Sequence, residues 1–475
     1  MDVTKPSVAP PEWTRPAWDV VVIGGGNAAL AAGIAASDAG ARVLILERAP
    51  KHLRGGNSRH TRNLRCVSVG DRLDSGSYGH DELWADLCGV GEGPNNEALA
   101  RFTVEQSATL PAWMSAHGVR WQRPLTGTLH LGRTNRFFLG GGKAMLNAYY
   151  RYVADSASIE VVYDAMVEDF EITGTRCTGL TVLVDGVRHG VRASAVICAS
   201  GGFEANIEWL RRYWGDAADN YVIRGTAYND GHILARLYDA GAARAGQERG
   251  FHAICVDARA PRFDGGIATR LDSIPFGIVV NRDGRRFYDE GEELWPKRYA
   301  MWGSHVARQP GQIAYSLWDA KVRDLFLPPM YGAASANRVG DLAAELGLDP
   351  ARLTRTVEDY NAAVVTGNFD PSGLDTCQTK GLAPPKSHWA QPLDTPPFFG
   401  VAIRPGITFT YMGVAVGADA RIAREDGSMF DNLYAAGEIM SGNILSTGYL
   451  AGFGVTIGTV WGRHAGTNAA VRVHG

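Results

Sequence analysis

Trp18-Asp19-Val20-Val21-Val22-Ile23-Gly24-Gly25-Gly26-Asn27-Ala28-Ala29 is the stretch on which the reading of the fold turns. Residues 18–23 have the length and β-branching of a buried strand. Three glycines follow, then an Ala-rich helix running to Gly40, a residue suited to a helix C-cap. Residues 41–47 (A-R-V-L-I-L-E) read as a second, parallel strand, which completes a βαβ unit. Gly24, Gly26 and Ala29 form G-x-G-x-x-A, and Glu47 stands 23 residues after Gly24. Each position has a physical task. Gly24 makes the tight turn, Gly26 lets backbone approach a pyrophosphate, and Ala29 permits close helix–strand packing. The helix N-terminus offers free N–H groups to phosphate, and Glu47 can accept hydrogen bonds from ribose hydroxyls. The unit therefore implies a bound dinucleotide.

The rest of the composition is that of a soluble globular chain. Of 475 residues, 47 are Lys or Arg and 50 are Asp or Glu, a net charge of −3. That balance lacks the basic excess of a nucleic-acid binder. At roughly 150 residues per domain, the length suits two to four domains. Glycine is the outlier: 58 of 475 is about 12%, against a usual 7% or so. The six cysteines (Cys66, Cys88, Cys177, Cys198, Cys255, Cys377) include no C-x-x-C pair, so a reducing, cytoplasmic setting is expected. No secretory h-region precedes residue 18, and no apolar run reaches the roughly 18 residues of a membrane span. No metal site is expected, because no two histidines stand at i, i+4.

Further along, glycine clusters recur at Gly55-Gly56-Asn57-Ser58 and Gly140-Gly141-Gly142. Strands of a β-meander are expected at 159–162, 167–172 and 179–184. Residues 196–203 (V-I-C-A-S-G-G-F) form a strand running into a glycine turn. Residues 432–438 (N-L-Y-A-A-G-E) form another, and a Gly-rich helix start spans 447–454. A nicotinamide site needs only the opening unit. Strand–glycine turns laid along an extended ligand, with a late helix aimed at its far end, are what FAD uses. The stretch from 249 to 408 differs in texture, with Pro pairs and an amphipathic helix from Asp349 to about Thr366. The expected architecture is α/β: an irregular arm (1–16), a Rossmann-like FAD-binding domain (17–248 and 409–475) and an inserted α+β cap for substrate (249–408).

This set resembles the fumarate reductase/succinate dehydrogenase flavoprotein superfamily. The resemblance is carried by 24–29 with Glu47, 55–58, Ala199-Ser200-Gly201-Gly202-Phe203, Val280-Asn281-Arg282-Asp283-Gly284-Arg285-Arg286-Phe287-Tyr288-Asp289-Glu290 and Tyr434-Ala435-Ala436-Gly437-Glu438. Within it, residues 55–62, 295–299 and 404–411 are similar to the tricarballylate dehydrogenase family. The resemblance implies non-covalent FAD, with Ser58 where succinate dehydrogenases carry their attachment histidine. The FAD contacts it implies are Gly24, Gly26, Asn27, Ala28, Ala29, Glu47, Arg48, Gly55, Gly56, Asn57, Ser58, Val167, Ala199, Ser200, Gly201, Gly437, Glu438, Gly452, Gly454 and Val455. It implies oxidation of a C–C single bond beside an activating group, with hydride passing to flavin N5. For a polycarboxylate the expected conversion is tricarballylate to aconitate. The alternatives are a 3-ketosteroid-like or cyclic-ketone desaturase and a flavin redox subunit of precorrin-3B synthase type. Electrons would leave to a quinone, oxygen or an iron–sulfur partner.

Against the soluble fumarate reductases the chain departs at three substrate positions. Residues 409–413 (F-T-Y-M-G) lack a histidine, Tyr449 replaces an arginine in the last loop, and Leu294 stands where a proton-shuttling arginine is usual. The nearest arginine, Arg298, is the expected acid/base, relayed through Glu290, Glu292 and Glu293, with Tyr411 as its rival. His252, Arg270 (beside Thr269), Arg404 and Tyr449 are the other substrate-side candidates. Arg59, Arg62 and Arg65 follow a flavin loop and suit an anionic ligand. If several arginines face the flavin, the substrate carries carboxylates; if the pocket is apolar, it is a ketone.

Overall fold

The computed structural model describes residues 11–15, 17–71, 73, 75–125, 127 and 131–474. Of the expected arm, residues 1–10 and 16 lie outside the described residues. The short stretch before residue 16 is ordered: Glu12–Thr14 form a single 3₁₀ turn, and buried Trp13 accepts a hydrogen bond from Trp18 Nε1 at 2.9 Å.

The βαβ opening forms as its residue types dictate. The strand Trp18–Ile23 pairs in parallel with Val43–Leu46 on one side and Val187–Cys198 on the other. Val20, Val21 and Val22 are fully buried, as a strand covered on both faces requires, each contributing on the order of 1.5–3 kcal/mol. The eight-stranded sheet continues outward through Ile159–Val162 on one flank and Met429–Ala435 and Arg421–Ala423 on the other. The expected meander is present as Met166–Thr173 and Arg176–Val184, paired antiparallel with each other and onto Val187–Cys198.

The last helix, Phe453–His474, closes this layer. It packs on the first helix, Asn27–Asp38, through Gly458, Gly462 and Gly466, one every four residues. A Cβ at Gly462 would stand 2.5 Å from Ala28 O, so only glycine lets the two backbones approach this closely. Asn27 Nδ2 fastens the contact by donating to Val455 O and Thr459 Oγ1 at 3.2 and 2.9 Å.

A second, six-stranded sheet is centred on the long strand Phe398–Thr410, paired with Phe251–Asp257, Ala314–Asp319, Val222–Ile223 and Ala334–Ala336. The helix Trp295–Ala307 lies on it with Trp295, Tyr299, Trp302, Gly303 and Val306 buried, the spacing of one helical face. The expected helix from Asp349 is Pro350–Ala363, capped by Asp349 Oδ1, which accepts from Arg352 N at 2.8 Å. The signature at 280–290 proves to be a structural brace. Glu290 is buried, accepts from Val279 N at 2.8 Å and pairs with Arg286. Two elements depart from the expected borders: Val222–Ile223, which lies before residue 249, joins the second sheet, and Phe398–Thr410 runs past 408. Among the described residues no helix is long and apolar enough to cross a membrane, and all six cysteines are free.

Candidate functional site

Four parallel strands of the first sheet end at one edge, at Ile23, Leu46, Cys198 and Ala435. The chain builds outward from Trp18–Ile23 in both directions, so this edge is a topological switch point, where open α/β sheets bind ligands. A cleft enclosing about 1520 Å³, part of it open to solvent, runs along it towards the second sheet.

One end is built from backbone. Gly24 has φ +114°, and a Cβ there would stand 2.5 Å from Ala199 O. Gly26 precedes the first helix in extended conformation and brings no side chain of its own to cap it, so the helix N-terminus faces the cleft with only its first N–H, that of Asn27, engaged by a side chain. A Cβ at Gly26 would meet only Ser58 Oγ, at 3.5 Å, and Gly55 O, at 3.6 Å. Ser58 Oγ itself accepts from Asn27 N at 3.1 Å. Glu47 is held by Ala49 N and Gly55 N at 2.8 and 3.3 Å, and burial raises its pKa. A helix end facing the cleft, an open glycine turn and a fixed acid at the second strand's tip fit the pyrophosphate and ribose of FAD. Of the expected cofactor residues, eighteen line the cleft, from Arg48 and Val167 at one end to Gly437, Glu438 and Gly452–Val455 at the other. Ala29 and Gly55 do not. Ala29 is fully buried behind the turn, and Gly55 turns away at φ +105° against Leu146.

The other end is built from side chains. Arg62, Arg224, His252, Arg270, Tyr299 and Tyr449 converge on it from six separate segments. Thr408 Oγ1 links two of them, accepting from Arg224 Nη2 at 2.8 Å and meeting His252 Nδ1 at 2.8 Å. His252 Nε2 lies 3.0 Å from Tyr299 Oη, and the His252 ring packs on Tyr449 with centroids 4.2 Å apart. Burial, with Arg224 and Arg270 beside it, holds His252 well below its usual pKa, so the ring is neutral. Burial also pushes the Arg224 guanidinium down to about 10, and burial plus the charge of Arg270 pushes Arg62 down to about 9. Among the described residues one acid pairs with these arginines. Asp272 Oδ2 takes Arg270 Nη2 at 2.7 Å and lies 3.9 Å from Arg62 Nη2. Among the described residues, Arg62 Nη2, Arg224 Nε and Nη1, and Arg270 Nε are buried without a hydrogen-bond partner.

Three expected residues stand elsewhere. Arg298 is one position off the buried face of its helix: Tyr299 faces the cleft, while Arg298 Nε lies 3.4 Å from Glu292. Of its expected relay, Glu292 is the acid beside it and Glu290 is taken up by Arg286, but neither these nor Glu293 lines the cleft. Arg404 is four residues up its strand from Thr408, roughly 13 Å away at about 3.3 Å per residue. There it donates to Gly311 O and Gln312 O at 3.0 and 3.3 Å. Tyr411 is buried with its hydroxyl on Gly448 O at 3.1 Å, and burial raises its pKa well above the usual value, so it makes a poor base. Arg59 donates to Leu53 O, and Arg65 pairs with Asp86. No sequence signal points to Arg224, which follows the two-residue strand Val222–Ile223 and sits in no motif. Tyr299 lay within the quoted 295–299 stretch, but its helical phase decides its role.

Residues 19–455 match the FAD binding domain family. The chain belongs to that family, and FAD is its cofactor. Its relatives are flavoproteins of the fumarate reductase type. The chain is 28% identical over 478 residues to the NADH:fumarate oxidoreductase of Klebsiella pneumoniae, covering 96% of this chain and 48% of that one. It therefore spans about half the length of that relative. The fold is shared with the open conformation of a flavocytochrome c3 fumarate reductase, at TM-score 0.75 and 23% identity, covering 97% of this chain and 79% of that one. It is shared equally with 3-ketosteroid delta1-dehydrogenase from Sterolibacterium denitrificans, at TM-score 0.74 and 17% identity, covering 96% and 100%. These likenesses are of fold, so the choice between a carboxylate and a ketone falls to the residues at the cleft.

Proposed function

We propose that the protein is an FAD-dependent oxidoreductase that oxidises a C–C single bond beside a carboxylate in a small polycarboxylate, with tricarballylate to aconitate as the first conversion to test. The observation that carries this reading is the excess of buried cation: Arg62, Arg224 and Arg270 against Asp272 alone, with guanidinium N–H groups left unpaired. Buried cations without partners are costly, and carboxylates meet the guanidinium fork with paired hydrogen bonds. Such a pocket opposes the cyclic-ketone alternative, which calls for apolar walls. The precorrin-type alternative has no observation in its favour.

Bound FAD supplies the hydride acceptor. The chain's own residues bind, orient and manage protons. Arg224 and Arg270 clamp carboxylate oxygens. Neutral His252, fixed between Thr408 and Tyr299, presents no competing charge. Arg62 lines the cleft with its Nη2 free of hydrogen bonds among the described residues and 3.9 Å from Asp272, and it takes the proton-handling role that its position denies to Arg298. In the same reading FAD is held without a covalent link. His60, two residues past Ser58, is engaged by Asp264 Oδ1 at 2.7 Å. Residues 249–408 act as the cap, joined to the cofactor part by the shared strand Phe398–Thr410 rather than by a loose linker. The electron acceptor is external.

An anaerobic screen that follows bleaching of the flavin band tests the proposal. Tricarballylate or another polycarboxylate is expected to bleach it and ketosteroids to leave it yellow; bleaching by ketosteroids alone overturns the reading.

A further inference from the structure

Behind the cradle lies a buried carboxyl pair that the proposed chemistry does not use. Glu204 is fully buried after Gly201-Gly202-Phe203, and Glu438 follows Gly437 and faces the cleft. The two carboxyls close on one point, with Glu438 Oε1 and Glu204 Oε2 both crowding the space beside Gly202. A Cβ on Gly202 would overlap Glu438 Oε1 and stand 2.8 Å from Glu204 Oε2, so glycine is required where they meet. Glu204 Oε1 accepts from Asn57 Nδ2 and, at 2.8 Å, from Asn229 Nδ2. Glu204 Oε2 receives no N–H or hydroxyl from another described residue. Glu438 Oε1 accepts from Thr410 N at 2.8 Å. Two ionised carboxylates repel and neither has a hydrogen to donate, so oxygens brought this close can be joined only by a proton held between them. Burial pushes both carboxyls up, Glu438 further because the neighbouring Glu204 charge adds to it.

The pair sits at a junction. Asn57 gives an N–H to Thr408 O at 2.8 Å and accepts from Thr226 N at 2.8 Å, and Thr408 carries Arg224 and His252 on its hydroxyl. The phenols whose charge would be felt at Glu438 are Tyr411 and Tyr449; both are neutral because burial raises them, and their hydroxyls are engaged by Gly448 O and Gly454 N. Arg224 is directed to Thr408 Oγ1. We propose that Glu204 and Glu438 share one proton, and that this proton-bridged pair fixes Glu438 in the wall of the FAD cleft, with Glu204 as a positioning residue. Loss of the proton puts two negative charges side by side in a buried space, which drives Glu438 out of place and loosens FAD.

The test is the rate of FAD release from the holoprotein, read by flavin fluorescence after dilution from about pH 6 to about pH 9. It needs no substrate, so its outcome is separate from that of the carboxylate reading. The wild-type rate is expected to be slow at low pH and then to rise by about tenfold per pH unit, the slope of a single lost proton. Glu204→Gln is expected to stay slow and flat. Its amide oxygen remains under Asn57 and Asn229, and its Nε2 hydrogen, which does not titrate, points at Glu438. Glu204→Ala removes the bridge and is expected to release FAD about tenfold faster at low pH, the cost of leaving a buried polar group unpaired. If the alanine variant does not fold, wild type and Glu204→Gln still decide. A flat wild-type rate overturns the proposal, as does a Glu204→Gln variant that keeps the wild-type rise or is fast at every pH.

Discussion

At one end of the cleft the chain presents backbone: Gly24 and Gly26 with the start of the helix Asn27–Asp38. At the other it presents side chains: Arg62, Arg224 and Arg270 around neutral His252. The first end is local. Its main parts lie within 18–58, and their spacing is dictated by turn geometry and one pyrophosphate. The second is non-local. Its residues come from six segments spread over 62–449, and the second sheet brings them together. A backbone site tolerates almost no change of shape, because every substitution adds atoms where the ligand and the neighbouring chain must pass. A side-chain site can exchange one group for another and so change its substrate. This is why the same frame serves both a fumarate reductase and a ketosteroid dehydrogenase.

The sharpest test of the backbone end is Gly24→Ala. The turn requires φ +114°, and the new methyl would press on Ala199 O at 2.5 Å. Positive-φ strain and a backbone clash together cost about 3 kcal/mol or more. The expected result is loss of FAD on gel filtration and a lower urea midpoint. Full FAD content with an unchanged midpoint would mean that the cradle yields more than its geometry suggests.

How much was legible follows the same divide. The opening βαβ unit, the meander and the helix after Asp349 were readable because periodicity, glycine turns and caps are local signals. At the side-chain end His252, Arg270 and Tyr449 were placed by their resemblance to motif positions, and the structure brings them together at the cleft. Arg224 gave no signal because a two-residue strand has no periodicity. The strand Phe251–Asp257 also shifts register between His252 and Ala253, an irregularity that no pattern of alternation announces. Glu204 was hidden for another reason: a lone acid after a glycine turn reads as surface until the fold buries it.

The side-chain end can be tested without disturbing the fold. Among the described residues Arg224 has no acid partner, and its Nε and Nη1 are buried and unpaired. Arg224→Met removes a costly buried charge while filling similar space. Its unfolding free energy is expected to stay level or rise by about 1 kcal/mol, with FAD content unchanged. With a polycarboxylate substrate, kcat/KM is expected to fall by about 100-fold or more, the loss of a charge-assisted clamp. A variant that is destabilised and yet fully active would show Arg224 to be structural, and the comparison between the two ends would fail at its main support.

The smallest effect is expected one position away from the site. Arg298 and Tyr299 are neighbours in sequence on the helix Trp295–Ala307, but successive helical residues point about 100° apart. Tyr299 is on the buried face, with its hydroxyl 3.0 Å from His252 Nε2. Arg298 faces Glu292, in an ion pair whose side chains are 23% and 37% exposed. A pair that open to solvent is worth less than about 1 kcal/mol. Arg298→Ala is therefore expected to leave kcat and KM within about threefold of wild type, whereas Tyr299→Phe, which unties His252, is expected to cost about tenfold in kcat/KM. The two variants share a helix, a cofactor and a substrate, so their ratio reports only which face meets the cleft. A collapse of kcat in Arg298→Ala with KM kept would reverse the order, and proton transfer would have to reach the substrate from outside the cluster of Arg62, Arg224 and Arg270.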